Sequence, residues 1–299
     1  MKQKLQYKAG YVTIIGRPNC GKSTLTNSLL NFKLSIVTAK PQTTRHRILG
    51  IVSGDGYQII FLDTPGLLDP KYKLQEVMLK TVQGAIADAD LLLFMTEAQE
   101  DFFEKDMYFL NMGIHQQKPV ILAINKIDLV EKSTLLPKIE TYRKGYPFCE
   151  IIPISALQHD GLDRLRQVIV TYLPTSSPFY PEDMITQRPE RFFVAEIIRE
   201  KVFMKYGDEI PYSTSVHVEE FKERDQGKDY IRAAIYLERA SQKAILIGKK
   251  GAALKEVGRL ARADIEAFLD RPVFLELWVG VKEKWRRNES FLRESGYYD

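Results

Sequence analysis

Cysteine is scarce: the 299 residues contain two, Cys20 and Cys149. That excludes a disulfide-stapled scaffold. Cys20 also lies inside a glycine-rich turn that an S–S bond would block, so a reducing compartment is expected. Long apolar runs are missing too. The longest, such as Leu91 to Met95 and Pro119 to Ile124, fall far short of the ~20 residues that cross a bilayer as a helix. The first ten residues carry Lys2, Lys4 and Lys8 with no apolar stretch behind them, which does not read as a signal peptide. A strong charge of one sign is absent as well: the formal net is +4, and from residue 181 onward acids and bases balance. Net charge therefore marks no nucleic-acid domain, and only local clustering can. Neither repeats nor low-complexity tracts occur. What is present, 44% hydrophobic and 27% charged residues over this length, describes a soluble, cytoplasmic protein of about two domains.

From Tyr11 onward, β-branched runs alternate with amphipathic stretches, the rhythm of an α/β domain with a mostly parallel sheet. Strands are expected at 11–15, 48–53, 58–62, 91–96, 120–125 and 151–154, with helices starting at Gly21, Leu74, Phe103, Thr134 and Leu162. The turn Ser53-Gly54-Asp55-Gly56 predicts one antiparallel edge strand. A proline- and serine-rich stretch beginning at Pro174 reads as a linker. Beyond it the rhythm changes to helix (189–204), strand (214–220), strand (230–237), short helix, glycine turn, long helix (252–269) and strand (273–279). The predicted division is a domain over 1–173, a linker over 174–188, a smaller α+β domain over 189–281 and a tail over 282–299.

Gly16-Arg17-Pro18-Asn19-Cys20-Gly21-Lys22-Ser23 fits G-x-x-x-x-G-K-[ST] between a strand and a helix. There the backbone can wrap phosphates, Lys22 can reach the β and γ groups, and the Ser23 hydroxyl can bind Mg2+. Asn125-Lys126-Ile127-Asp128 ends a hydrophobic strand, where Asp128 can accept from both N1–H and the exocyclic amine of guanine. Adenine would leave that carboxylate unpaired, so the pattern selects GTP and GDP over adenine nucleotides. Ser155-Ala156 after the next strand completes the base pocket. Asp63-Thr64-Pro65-Gly66 closes the third strand, with Asp63 suited to hold the metal through water and the Gly66 N–H to sense the γ-phosphate. A threonine in Pro41-Gln42-Thr43-Thr44-Arg45 can complete the metal shell; Thr44 is favoured over Thr43.

These motifs, in this order, resemble the translation-factor-related GTPases. Leu67 departs from the Ras-like pattern, which has a water-orienting glutamine there. A leucine cannot position a nucleophile. The resemblance implies K+ held by Asn19 as the substitute, with Lys22, Thr44 and Gly66 acting on the phosphates, and slow turnover on the order of 10⁻⁴ to 10⁻² per second.

In the second region, Ile247-Gly248-Lys249-Lys250-Gly251 carries a G-x-x-G loop, and residues 239–262 hold seven basic side chains against one acid, Glu256. Such a turn lets backbone approach a sugar-phosphate chain while an adjacent apolar groove takes about four unpaired bases, as in KH domains. Trp285, in a basic tail, can either stack on RNA or pack on the domain. A GTPase domain followed by a helix-first (type II) KH domain resembles the bacterial Era family over nearly the whole chain. Matching segments include 41–47, 180–186, 247–251 and Leu275-Glu276-Leu277-Trp278-Val279. Cys20 departs from that pattern, in which valine is usual. The resemblance implies binding near the 3′ end of 16S ribosomal RNA, a role in assembling the 30S subunit, a monomeric state, and association with the inner face of the cell membrane. Two alternatives stand beside it. One is a GTP-dependent RNA-binding module with negligible catalysis. The other, a tRNA-modifying GTPase, lacks the residues for a further cofactor-binding domain.

Overall fold

The computed structural model describes residues 6–38, 40–67, 69–100, 106–107, 110–111 and 118–298. The helix expected from Phe103 begins outside them. These residues form two compact units. The first is the chain up to Ser35 with Thr44–Pro70 and Val77–Gln187; the second is Ile36–Thr43, Lys71–Glu76 and the chain from Arg188 on.

In the first unit the elements are β1 (Lys8–Gly16), α1 (Lys22–Leu30), β2 (Ile48–Gly54), β3 (Tyr57–Asp63), α2 (Lys73–Asp88), β4 (Leu91–Glu97), β5 (Val120–Asn125), α3 (Leu135–Gly145), β6 (Glu150–Pro153) and α4 (Leu162–Tyr172). The start of α2 belongs to the second unit. The sheet order is β2-β3-β1-β4-β5-β6. Only the β2–β3 pair is antiparallel, joined at Asp55-Gly56, where Gly56 takes a φ of 79°. Both faces are covered, which is why the strands read as unbroken apolar runs. In β4, Leu91, Leu93 and Met95 pack with Leu25 of α1 and Leu165 of α4, whereas Leu92 and Phe94 pack with Val82 of α2 and Tyr142 of α3. The carboxyl ends of the parallel strands lead into the loops that carry the nucleotide motifs, as expected for ligand sites in open α/β sheets.

The stretch read as a linker is not free chain. The Ser176 amide bonds Tyr7 O, Gln58 holds the amides of Phe179 and Tyr180, the Ile51 amide bonds Ile185 O, and the Thr186 hydroxyl donates to Leu49 O. The composition signalled a break, but backbone pairing carries the first unit on to Gln187.

The second unit contains α5 (Glu190–Lys205), a one-turn helix α6 (Ile210–Ser213), β7 (Ser215–Lys222), β8 (Asp229–Leu237), α7 (Ala240–Ile247), α8 (Ala252–Leu269), β9 (Val273–Val281) and α9 (Glu289–Glu294). Strand β8 pairs antiparallel with β7 and parallel with β9. Val257, Ala261, Ile265 and Leu269 of α8, each four residues from the next, form the buried stripe on Ile231, Ala233 and Ile235 of β8. Residues 36–43 and 71–76 belong here by their bonds: the Val37 amide to Glu200, Lys40 Nζ to the carbonyls of Phe203 and Tyr206, Arg199 to Thr43 O, and Lys73 to Glu289. The end of the chain is integral rather than a stacking tail. Trp285 is fully buried, donates from Nε1 to Ser213 O at 2.7 Å and lies parallel to Tyr297. Of the two roles open to it in the sequence, packing is the one observed.

Candidate functional site

The glycine-rich turn between β1 and α1 needs its glycines. Gly21 holds a φ of 99°, and a Cβ there would lie 2.2 Å from Asn125 Nδ2. Lys22, buried under the turn, donates from Nζ to Gly16 O (3.1 Å) and Arg17 O (2.7 Å). Those carbonyls hold the ammonium where phosphate oxygens can replace them as acceptors. Pro18 flanks Gly66 so closely that a Cβ on that glycine would lie 3.0 Å from the proline backbone. Asn19 is exposed with a φ of 67°, and the Cys20 side chain is buried in the core, leaving only its backbone on the loop.

Oxygen donors converge beside Ser23. Its Oγ lies 2.8 Å from Thr44 Oγ1 and donates to Asp63 Oδ2 at 2.9 Å; Ser35 Oγ donates to the same oxygen at 2.7 Å. Asp63 Oδ1 is buried with no hydrogen-bond partner. Burial pushes the Asp63 carboxyl up, against the lowering pull of Ser35, Lys22 and Ser23. An orphaned carboxylate oxygen beside two hydroxyls is a donor set that fits a hard divalent ion such as Mg2+. Thr43 is placed elsewhere: its hydroxyl bonds Thr38 and Lys40 O, within the second unit. Thr64 donates to Ile14 O, which ties the Asp63-Thr64-Pro65-Gly66 turn to β1. The Leu67 side chain is 3% exposed and packs in the core, while its amide bonds Gly16 O. It therefore cannot orient a water.

Asn125 joins three loops, donating to Cys20 O and accepting from the Ala156 amide, both at 2.9 Å. Lys126 sits at a φ of 63° and pairs with Glu97 at 2.7 Å. Asp128 is exposed, and the Ser155 Oγ accepts from the Gln158 amide. Ser35, Glu97 and Ser28, whose hydroxyl holds Ala156 O, were not singled out in the sequence. Each acts from outside the recognisable motifs, so no spacing pointed to it.

In the second unit α7 ends at Gly248, where φ is 71° and a Cβ would meet the Ala253 Cβ at 2.6 Å. Lys249 and Lys250 are exposed, Lys250 at a φ of 50°, and Gly251 (φ 78°) faces open space. Ile247, half-buried, packs against the domain core. Beside the turn runs a cavity of about 610 Å³ with Leu254, Gly258, Leu275 and Leu277 among its apolar walls, Lys255, Arg259 and Arg262 as basic ones, and one acid, Glu256, paired with Arg259. Gly258 keeps it open: a Cβ there would come 3.3 Å from Leu277. The groove residues on α8 follow helical spacing from Gly251, which is the signal that could have named them.

A 50S ribosome-binding GTPase model matches residues 11–126, and a KH domain model matches residues 209–286. The GTPase Era of Geotalea uraniireducens is 49% identical over 98% of both chains, and that of Geotalea daltonii 48% identical over the same share. The chain belongs to the Era GTPase family. Two solved Era structures each superpose with a TM-score of 0.95 at 44% identity, covering 98% of this chain and all of theirs. One is an Aquifex aeolicus Era variant bound to GDP and aluminium fluoride; the other is an Era with MgGDPNP and nucleotides 1506–1542 of 16S ribosomal RNA. As a member of the Era family the protein hydrolyses GTP, and the binding-only alternative falls away.

Proposed function

We propose that the protein is a GTP-hydrolysing switch that binds 16S ribosomal RNA near its 3′ end and acts in assembly of the 30S subunit. The observation that carries this reading is the open, basic-walled groove beside Gly248–Gly251, in a chain whose other unit is a GTPase. The Era relative of the same fold that is bound to nucleotides 1506–1542 supports it. On this reading the two units are an engine and a reader on one chain.

At the nucleotide site, the Gly16–Ser23 backbone and Lys22 bind the phosphates. Ser23, Thr44 and Asp63 would hold Mg2+, which would supply positive charge against the β and γ phosphates. Thr64, Pro65 and Leu67 fix the turn that presents the Gly66 N–H, and Asn125, Lys126, Asp128, Ser155 and Ala156 hold the guanine. Asn19 offers a hard amide oxygen for K+, the cation that would replace a glutamine at residue 67. The proposed setting is the cytoplasm, as a monomer, with only peripheral contact to the inner face of the membrane. Among the described residues no helix is long and apolar enough to cross one.

The test is binding of an RNA spanning nucleotides 1506–1542 by the wild type and by Lys249→Asp/Lys250→Asp. Both lysines are exposed, so the variant is expected to fold normally. It should lose about a hundredfold in affinity at moderate salt, with a salt slope shallower by about two contacts. Wild-type affinity in the folded variant would remove the turn from the RNA site.

A further inference from the structure

The second unit holds another basic concavity, about 540 Å³, at the opposite end of α7 from the Gly-Lys-Lys-Gly turn. Its walls include Arg239 and Ala240 at the start of α7, Lys284, Arg286 and Arg287 after β9, and Tyr72. Two carboxylates share the lining. Glu238 is engaged by Arg286, whose guanidinium also lies 4.9 Å from the Tyr72 ring centre, while Glu283 is exposed. Arg239, Lys284 and Arg287 are exposed and have no ion-pair partner among the described residues. Lys284 is further held at a φ of 51°, a left-handed conformation costly for a side-chain-bearing residue. The Gln242 side chain accepts from the amides of Glu238 and Arg239, which fixes the entry to α7.

The four cations of the lining outnumber its two carboxylates, and the cavity lies at the positive end of a helix, so an anion there relieves the remaining repulsion. We propose that this pocket is a second phosphate site, taking the backbone of the same RNA a few nucleotides from the segment held at Gly248–Gly251. The proposal rests on the RNA-binding reading above. Helix α7 has eight residues, so the two sites are separated by roughly 12 Å of helix. One RNA chain spans that distance without a second molecule. Two guanidinium groups suit phosphate oxygens, which they can meet in pairs of parallel hydrogen bonds. An anionic lipid surface would also supply phosphate, but stable anchoring there needs an apolar side chain to insert. The lining offers only Ala240 and the Tyr72 ring, already covered by Arg286.

The experiment uses the full chain, Arg239→Glu/Arg287→Glu, and two RNA probes: nucleotides 1506–1542 and the shortest truncation of that fragment that the wild type still binds. The variant should bind the long fragment about tenfold or more weakly, with a salt slope shallower by about 1.5, and the short probe as the wild type does. Unchanged thermal melting, and an intermediate loss for Arg239→Gln/Arg287→Gln, separate this from misfolding. Wild-type affinity and slope on the long fragment would overturn the proposal. So would equal losses on both probes, because the charge change would then act from a distance on the groove beside Gly248–Gly251. A variant that loses binding to phosphatidylglycerol vesicles but keeps RNA affinity would reassign the pocket to membrane. If the wild type binds neither RNA, the RNA reading fails, and this inference with it.

Discussion

The nucleotide motifs and the groove proposed for RNA are built on opposite plans. The first is made of backbone: loops at the carboxyl ends of parallel strands, fixed by glycines that admit no Cβ and by Asn125, which clamps two other loops at 2.9 Å. The second lies between one face of α8 and strand β9, with a glycine turn at its head, leucines from both elements and arginines from the helix. Phosphate and a guanine edge demand fixed donors and acceptors in set positions. A run of splayed bases demands an apolar wall and diffuse positive charge. The loop site therefore tolerates almost no change at a few positions, whereas the helix site spreads its affinity over many.

The largest effect expected from this contrast is at Asp128. Changing it to Asn removes the paired acceptor for guanine and should lower GTP affinity by about a thousandfold or more. Xanthosine triphosphate, with a carbonyl where guanine has its amine, should bind the variant better than GTP does. Competition of the two nucleotides against a fluorescent analogue measures this, and undiminished GTP affinity would dismiss the guanine assignment. RNA binding by the variant should persist, since every groove residue lies in the other unit.

A smaller effect should follow from filling the groove. In Gly258→Val the branched side chain occupies the space facing Leu277, where even a Cβ is tight at 3.3 Å. RNA affinity should fall about tenfold while nucleotide affinity and fold persist; Gly costs a helix about 1 kcal/mol relative to Ala, so removing it does not weaken α8 intrinsically. Titration of labelled RNA against the variant decides the point. A loss confined to the salt-dependent part of affinity would show that the groove serves as a charged surface rather than a base pocket.

The smallest effect concerns pH and again separates the units. His217 of β7 lies between the Ser215 and Ser295 hydroxyls and against the Tyr236 and Phe291 rings. Burial pushes its imidazole below the ordinary 6.5, although Glu219 and Glu294 pull the other way. A depressed histidine contributes stability that is complete above the unfolded value and is lost as pH falls through the folded one. Melting of the second unit should thus weaken on acidification below about 6.5, relative to His217→Gln. Parallel melts of both proteins between neutral and mildly acid pH are the check; coincident curves would show that the ring does not protonate on unfolding.

The same contrast explains how much of the fold and of the sites is legible in the sequence. Strands buried on both faces announced themselves as unbroken apolar runs, and α8 was legible from end to end because Gly251 and the apolar spacing mark its limits. The loop motifs were legible because their chemistry requires particular residues at fixed spacing. Ser35 and Glu97 were not: each supports a motif from a separate place in the chain, and a serine or a glutamate outside a pattern is indistinguishable from a solvated one. The bonding of residues 174–187 is illegible in the sequence for a related reason. Proline and serine signal the lack of helix, but they do not reveal that Gln58 waits to hold the amides of Phe179 and Tyr180. Trp285 could stack or pack by composition, and only the Ser213 carbonyl within reach of its indole decides.

Thr43 and Thr44 are neighbours in the chain, yet the carbonyl of one is held by Arg199 in the second unit and the hydroxyl of the other lies beside Ser23 in the first. Their Cα atoms are joined by a single peptide, a span of about 3.8 Å that cannot stretch. A displacement of the Thr44 backbone is therefore passed, within one peptide, to the Thr43 carbonyl that Arg199 holds.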